Sequence, residues 1–443
     1  MPIPVQNPPQ SWYRMQEGLG KWEQSGKVCA VGVGVSPTER RWQGTAEDTI
    51  GAYCIIAMRK AMEDAGVSPS EVDGIVFDPV TATGSPWPEG MPIPDELKAL
   101  NPTGDPLDGV CKLSADYILQ NMPELTNVKF IMQAPGCMSH VQNVAIQAVA
   151  EKATNVCLVV RGWHNLPGRY YVGRGAAAHD TATGPAKWMG MFGGPACYGT
   201  ATQFEQYCRR YGVTRDMFAN FIINERKNGL MFPEGFWFQH RPDALTREDY
   251  LNSQWVAKPC AVLDNDIPIQ VAASFLYTTP ERAKDMKQKP VYVLSHATAR
   301  DRARGLVPDL DMCQRTAARN ARILYEGAGI TVDDLSFENL YEGWPFFHIF
   351  FLEGLGGYAG IKEGDALHYF ETQDISINSD HPISPSGGNV GSGRSRFWNT
   401  IDCIQQIQGR AGKRQIKNKA EIAVDGGFLP YAGWFRVWSA TPN

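Results

Sequence analysis

One joint occurs twice in this sequence. MRKAMEDAGVSPSEVDGIVF (58–77) and NARILYEGAGITVDDLSFEN (320–339) each run from a helical pattern through Ala-Gly into a short polar turn and then a strand. Ala65-Gly66-Val67 is answered by Ala328-Gly329-Ile330 at a shift of 263 residues, and Glu71-Val72 by Asp334-Leu335 at the same shift. The shared physics is a helix stopped by glycine, a turn with its own Ser or Thr, and a strand. A constant offset across the whole joint points to duplication. It restricts the chain to folds made of two similar halves.

The rest of the pattern agrees. VCAVGVGV, EVDGIVFDPV, NVKFIMQAP, NVCLVVRG, PVYVLSHA, LSFENLY, EIAVDGG and FRVWSAT read as strands, separated by amphipathic helices such as SHVQNVAIQAVAEK and RFWNTIDCIQQIQGRAG. Apolar runs alternating with helices predict a layered α/β architecture. A segment rich in Gly, Arg and aromatics (GRYYVGRG, MGMFGGPACYG, FEQYCRRYG, FPEGFWFQHRP) interrupts the first half. Insertions of that size are usually functional. The expected division is an N-terminal extension (1–26), a first half (27–165), an insertion (166–265), the last strand of the first half (266–285) and a second half (286–443).

Composition narrows the function. A formal net charge of −5 argues against nucleic acid as the main partner. No apolar run approaches the roughly 20 residues of a membrane span, and the proline-rich N-terminus lacks the layout of a secretion signal. A cytoplasmic location is expected. The ten cysteines are scattered without a C-x-x-C pair, so no zinc knuckle or disulfide framework is expected. No metal site is expected either.

Several residues stand out as candidates for chemistry. In NLYEGWPFFHIFFLEGLG, Tyr341 and Glu342 end a strand and precede Gly343 and a helix too apolar to face water. Arg394 follows GGNVGSG, a glycine segment that lets backbone approach a ligand closely; Gly388 and Gly393 within it are candidate substrate contacts. A cation is disfavoured at a helix start, which argues against an ordinary surface role for Arg394. His140 and His296 are candidates for acid–base work or substrate contact, with a satisfied structural histidine as the alternative. Asp264 and Asp266 in LDNDIP read as turn-shaping residues.

AMEDAGVSPSEVDGIVFD, ATQFEQYCRRYGVT, YLNSQWVAKPCAVLDNDIP, AGITVDDLSFENLYEGWPFFHIFFLEGLG and PSGGNVGSGRSRFW together resemble the thiolase superfamily, in its sterol-carrier-protein and lipid-transfer-protein branch. The resemblance implies a duplicated five-layer α-β-α-β-α fold with a large loop domain in the first half. A thiolase of that superfamily uses a cysteine at a helix N-terminus. Here that segment is QAPGCMSH, with the family position on Pro135 or Gly136 and Cys137 one or two residues late. Tyr341 stands where the superfamily often has His, Arg394 where a second His would stand, Ser384 in place of a usual Asn, and Asp425 near the place of a second cysteine.

These departures resemble the steroid side-chain-cleaving aldolases of the thiolase fold, whose YDGF-like and Ser-x-Gly-Arg segments are matched by YEGW and GSGR. The resemblance implies retro-aldol cleavage of a β-hydroxyacyl-CoA, with coenzyme A entering as part of the substrate and no covalently bound cofactor. It implies a homodimer and a small partner built from an OB-fold and a zinc ribbon. Tyr341 would relay a proton if a nearby cation or strong donor lowered its pKa, Glu342 would orient it or a partner, and Arg394 would bind the thioester oxygen or lower the Tyr341 pKa. Two alternatives remain open: a thiolase-type acyltransferase using Cys137, and a non-catalytic subunit that binds acyl-CoA or lipid.

Overall fold

The computed structural model describes residues 3–79, 95, 104–110, 112–163, 198–301, 309–429 and 431–442. GRYYVGRG and nearly all of MGMFGGPACYG lie outside the described residues. In chain order the main elements are β1 (Val5–Gln6), β2 (Cys29–Val35), α1 (Ile50–Ala65), β3 (Gly74–Phe77), α2 (Ala115–Asn121), β4 (Phe130–Gln133), α3 (Met138–Ala150) and β5 (Val156–Trp163). The inserted region follows with α4 (Tyr198–Tyr211), α5 (Ala219–Gly229) and a small hairpin of β6 (Trp255–Ala257) and β7 (Cys260–Ala261). Then come β8 (Val271–Thr278), β9 (Val291–Arg300), α6 (Leu310–Ala328), β10 (Phe337–Leu340), α7 (Pro345–Gly354), α8 (Gly388–Ser392), α9 (Trp398–Gln408), β11 (Ile422–Gly426) and β12 (Ala432–Ser439).

The duplication is visible in the geometry. Gly66 and Gly329 end α1 and α6 in the left-handed region, at φ 69° and 70°. Each is followed by a single 3-10 turn in which a carboxylate three residues on accepts from the turn's first N–H: Glu71 from Ser68, and Asp334 from Thr331. β3 and β10 then begin and end at the same shift of 263 residues.

Sheet order repeats the theme. The ten strands run β1-β4-β3-β5-β8-β2-β9-β12-β11-β10. Outward from the β2/β9 junction, β2-β8-β5-β3 is mirrored by β9-β12-β11-β10. In each half the first and last strands pair antiparallel and the second pairs parallel with its inner neighbour. The junction itself is slight, with Cys29 paired to Tyr292 and Ala30 to Val291. On the far edge, β1 lies parallel on β4 opposite Ile131 and Met132. A dimer that pairs edge to edge there would have to displace Val5 and Gln6.

Side chains alternate across a strand, and the apolar sets separate accordingly. Ile75 and Phe77 of β3 pack outward with α1, while Val76 packs inward with α3. In the second half Phe337, Ala423 and Trp438 face the same inner cluster, and Leu340, Val424 and Val437 face outward to α6 and α7. The central layer is α3 and α9, which share one core with strands of both halves. All thirteen residues of α3 are buried, as expected for a helix enclosed on every side. With the two halves of the sheet on either side of α3 and α9, the result is helix, half-sheet, helix, half-sheet, helix. Among the described residues no helix is long and apolar enough to cross a membrane.

Candidate active site

Both central helices begin at one place. Cys137 caps α3 and Phe397 precedes α9. Arg161, at the end of β5, ties the two entry loops together: its Nη1 donates to the Ser395 carbonyl at 3.2 Å and its Nη2 to the Gly136 carbonyl at 3.5 Å. Its Nε donates to Asp78 at 2.8 Å. Two helix N-termini converging on one point give that point a positive potential.

Tyr341 enters this region from β10. Its N–H donates to the Gly426 carbonyl at 2.9 Å, which extends the β10/β11 ladder by one residue. Its Cβ lies over Gly427 and its hydroxyl over Gly343. A Cβ on Gly343 would stand 2.6 Å from Tyr341 Cζ and 2.7 Å from Asp266 Oδ2, so the phenol and this carboxylate share one glycine seat. Pro345 at the first position of α7 fixes the exit of the turn, and the buried face of α7 anchors it in the core.

Three guanidinium groups surround Trp163. Arg161, Arg394 and Arg396 lie 4.5, 4.6 and 4.8 Å from its ring. Arg394 is 1% exposed and its N–H donates to the Ile267 carbonyl at 2.8 Å. Arg396 is buried at φ 68°, a conformation a long side chain rarely adopts. The Asn389 side-chain carbonyl holds it there by accepting from the Ser395 and Arg396 N–H groups at 2.8 and 2.7 Å. Its guanidinium lies 4.3 Å from the Phe428 ring and 5.9 Å from that of Tyr341. Among the described residues, Nε and Nη1 of Arg396 meet no acceptor. Buried guanidinium donors of this kind suit a developing oxyanion.

Electrostatics corrects one expectation. Burial raises the Tyr341 pKa above its ordinary value, and Arg396 and Arg394 offset this only in part. Tyr341 is therefore a neutral phenol in the resting site. Asp266 is pushed up to about 7, chiefly by burial and against the pull of Arg394 and Arg396. Read from sequence as a turn former, it belongs to the site. Asp264 does not: it is paired with Arg215 at 2.6 Å and accepts from the Tyr250 hydroxyl.

The remaining candidates fall into two groups. Glu342 points away from Tyr341. It accepts from the Asn389 N–H and Nδ2 and from Asn399 Nδ2, so it braces the α8 and α9 entrances rather than orienting the phenol. Gly388 leaves room for that carboxylate, and Gly393, at φ 105°, turns the chain into Arg394. Ser384 hangs from Glu338, which accepts its N–H at 2.9 Å. Asp425 is saturated by Arg436, Thr400 and Trp438. His140 stacks on Trp434 and bonds to Tyr13 and the Pro135 carbonyl, and burial lowers its pKa. His296 is held by Gln147, and burial takes it down to about 3. It is a neutral core residue.

Cys137 is fully buried, and burial raises its thiol pKa despite Arg396 and Arg161. A helix N-terminus alone does not activate it. Sequence reasoning missed Arg396, Trp163 and the Asp78–Arg161 pair. The RSR spacing after the glycine segment was the available signal for Arg396. Among the described residues no cluster of three His, Cys, Asp or Glu side chains has the arrangement of a metal site.

Residues 301–430 match the family described as thiolase C-terminal domain-like. Over 399 residues the chain is 26% identical to the 17-hydroxy-3-oxo-4-pregnene-20-carboxyl-CoA lyase of Mycobacterium tuberculosis, covering 87% of this chain and 92% of the relative. It is 23% identical to a steroid side-chain-cleaving aldolase of Thermomonospora curvata, covering 87% and 91%. Among solved structures, an Ltp2-ChsH2(DUF35) aldolase superposes with a TM-score of 0.71 at 18% identity, over 94% of this chain and 98% of that one. Human mitochondrial 3-ketoacyl-CoA thiolase does so at 0.61 and 12%, over 93% and 98%. Residues 301–430 thus carry a thiolase C-terminal domain-like segment, and the chain as a whole is similar in sequence to enzymes named as steroid side-chain-cleaving aldolases and acyl-CoA lyases and has the fold of the thiolases.

Proposed function

We propose that this chain is an acyl-CoA carbon–carbon lyase that cleaves a β-hydroxyacyl-CoA by a retro-aldol reaction. The substrate is a steroid acid thioester of the kind for which the relatives are named. The observation that carries the reading is the pairing of a buried phenol with two buried guanidinium groups beside a thiol that is not activated. In the reaction the β-hydroxyl gives up its proton and the adjacent carbon–carbon bond breaks. The products are a ketone or aldehyde and a thioester enolate, which is then protonated at carbon. Tyr341 relays the proton. Arg394 and Arg396, with the N-termini of α3 and α9, stabilise the enolate oxygen. No acyl-enzyme forms, so a thiolate is not needed.

The chain works as a homodimer with a small OB-fold and zinc-ribbon partner. The naming of the structural neighbour as a two-component aldolase supports the partner. Turnover of a β-hydroxyacyl-CoA with the partner present tests the reading. Tyr341→Phe is expected to fall by about 10²–10⁴-fold with little change in KM. Cys137→Ala is expected to keep at least roughly a tenth of the wild-type rate, because no covalent intermediate is lost. An acyl adduct on Cys137 would refute the lyase reading, and a Tyr341→Phe enzyme within about threefold of wild type would remove Tyr341 from the mechanism. The adduct would establish the acyltransferase.

A further inference from the structure

We infer that Asp266 is a positioning residue that stores the proton passed on by Tyr341. The inference rests on the retro-aldol reading. Tyr341 is a neutral phenol, so it cannot accept the substrate's proton without giving up its own. A relay needs a second acceptor beyond it. Asp266 Oδ2 and the Tyr341 hydroxyl lie against the same glycine, Gly343. The Asp266 N–H donates to the Gly343 carbonyl at 3.3 Å, which ties the carboxylate's backbone to the turn that carries the phenol. The charged groups that bear on Asp266 are Arg394 and Arg396 from the segment entering α9, and Glu342 from the end of β10. The guanidinium groups favour the carboxylate. Burial and Glu342 favour the acid. That balance leaves Asp266 able to take a proton and return it near neutral pH.

The steps balance. The substrate's hydroxyl proton moves to the Tyr341 oxygen as the Tyr341 proton moves to Asp266. The carbon–carbon bonding pair becomes the enolate. The ketone or aldehyde leaves, and the stored proton returns through Tyr341 to the enolate carbon. No net proton is consumed, and Asp266 ends ionised.

The test is a pH profile of kcat between pH 5 and 8.5 for wild type, Asp266→Asn and Asp266→Glu, alongside infrared titration of the substrate-free enzyme. Because the ionised form accepts the proton, wild-type kcat is expected to rise with pH and level off above about 7. Asp266→Asn is expected to lose that rise and at least about 10²-fold of kcat, with KM changed far less. Asp266→Glu should restore the pH limb. A protonated-carboxyl band that disappears near pH 7 in wild type should be missing from the Asp266→Asn difference spectrum. A flat wild-type profile overturns the relay without any variant. So does an Asp266→Asn enzyme that keeps the rise and turns over within about threefold of wild type. A wild type that cleaves no β-hydroxyacyl-CoA with the partner present overturns the retro-aldol reading, and the relay with it.

Discussion

Replacing Gly343 by alanine tests the site with one methyl group. The backbone at 343 needs no left-handed conformation, so the substitution acts through space alone. The new Cβ would stand 2.6 Å from Tyr341 Cζ and 2.7 Å from Asp266 Oδ2, with the hydroxyl nearer still, whereas ordinary contact begins at 3.4 Å. The phenol or the turn must therefore yield by about 1 Å, a misplacement that typically costs on the order of 10²-fold in rate. Overpacking of this kind also destabilises by about 1–3 kcal/mol. The assay is cleavage of a β-hydroxyacyl-CoA with the partner present, with melting curves run in parallel. We expect a loss of about 10²-fold in kcat with a folded, modestly less stable protein. A Gly343→Ala enzyme that turns over within about threefold of wild type would show that the phenol's position does not govern the reaction, and the reasoning from this seat would fail.

Three further outcomes follow from the packing. Asp425→Asn leaves Arg436 buried without its carboxylate, and chemical denaturation should show a loss of about 3–5 kcal/mol; a change below about 1 kcal/mol would contradict the pairing. Gly66→Ala and Gly329→Ala should each cost about 1–2 kcal/mol for the left-handed conformation. The first should cost more, because its Cβ would meet that of Lys287 at 3.0 Å while the second has only Lys21 Cδ at 3.6 Å. Removing residues 1–8 strips β1 from β4 and exposes the edge at Ile131 and Met132. Light scattering should show increased self-association, and an unchanged mass would mean the edge is protected in another way.

The scaffold was legible because its signals are local. Gly66 and Gly329 stop helices wherever they occur, and the turn residues after them cap their own backbone. Tyr341 and Arg394 stood out because an apolar strand or a glycine run led directly to them. What stayed hidden depends on distance. Asp266 and Tyr341 are separated by 75 positions and meet only because β8 and β10 belong to different halves of one sheet. Glu342 looked like a partner for its neighbour, but adjacent residues at a strand end point apart, and its acceptors are met by Asn389 and Asn399. A lowered Tyr341 pKa was tied to the pull of a nearby cation. Inside the fold, desolvation outweighs it.

The shift of 263 that relates the two joints also carries Asp78 onto Tyr341. Each is the first residue beyond its strand, and each meets the centre through an arginine: Asp78 through Arg161, and Tyr341 beneath Arg396. An ancestor made of two like copies would have brought two identical side chains to this point. Here the copies have specialised. One half supplies a fixed countercharge that locks the entries of both central helices, and in the proposed reaction the other supplies the group whose proton moves. Exchanging the residues at 78 and 341 would therefore exchange a strut for a working part. It should abolish turnover even though each residue type would stand at its ancestral counterpart's address.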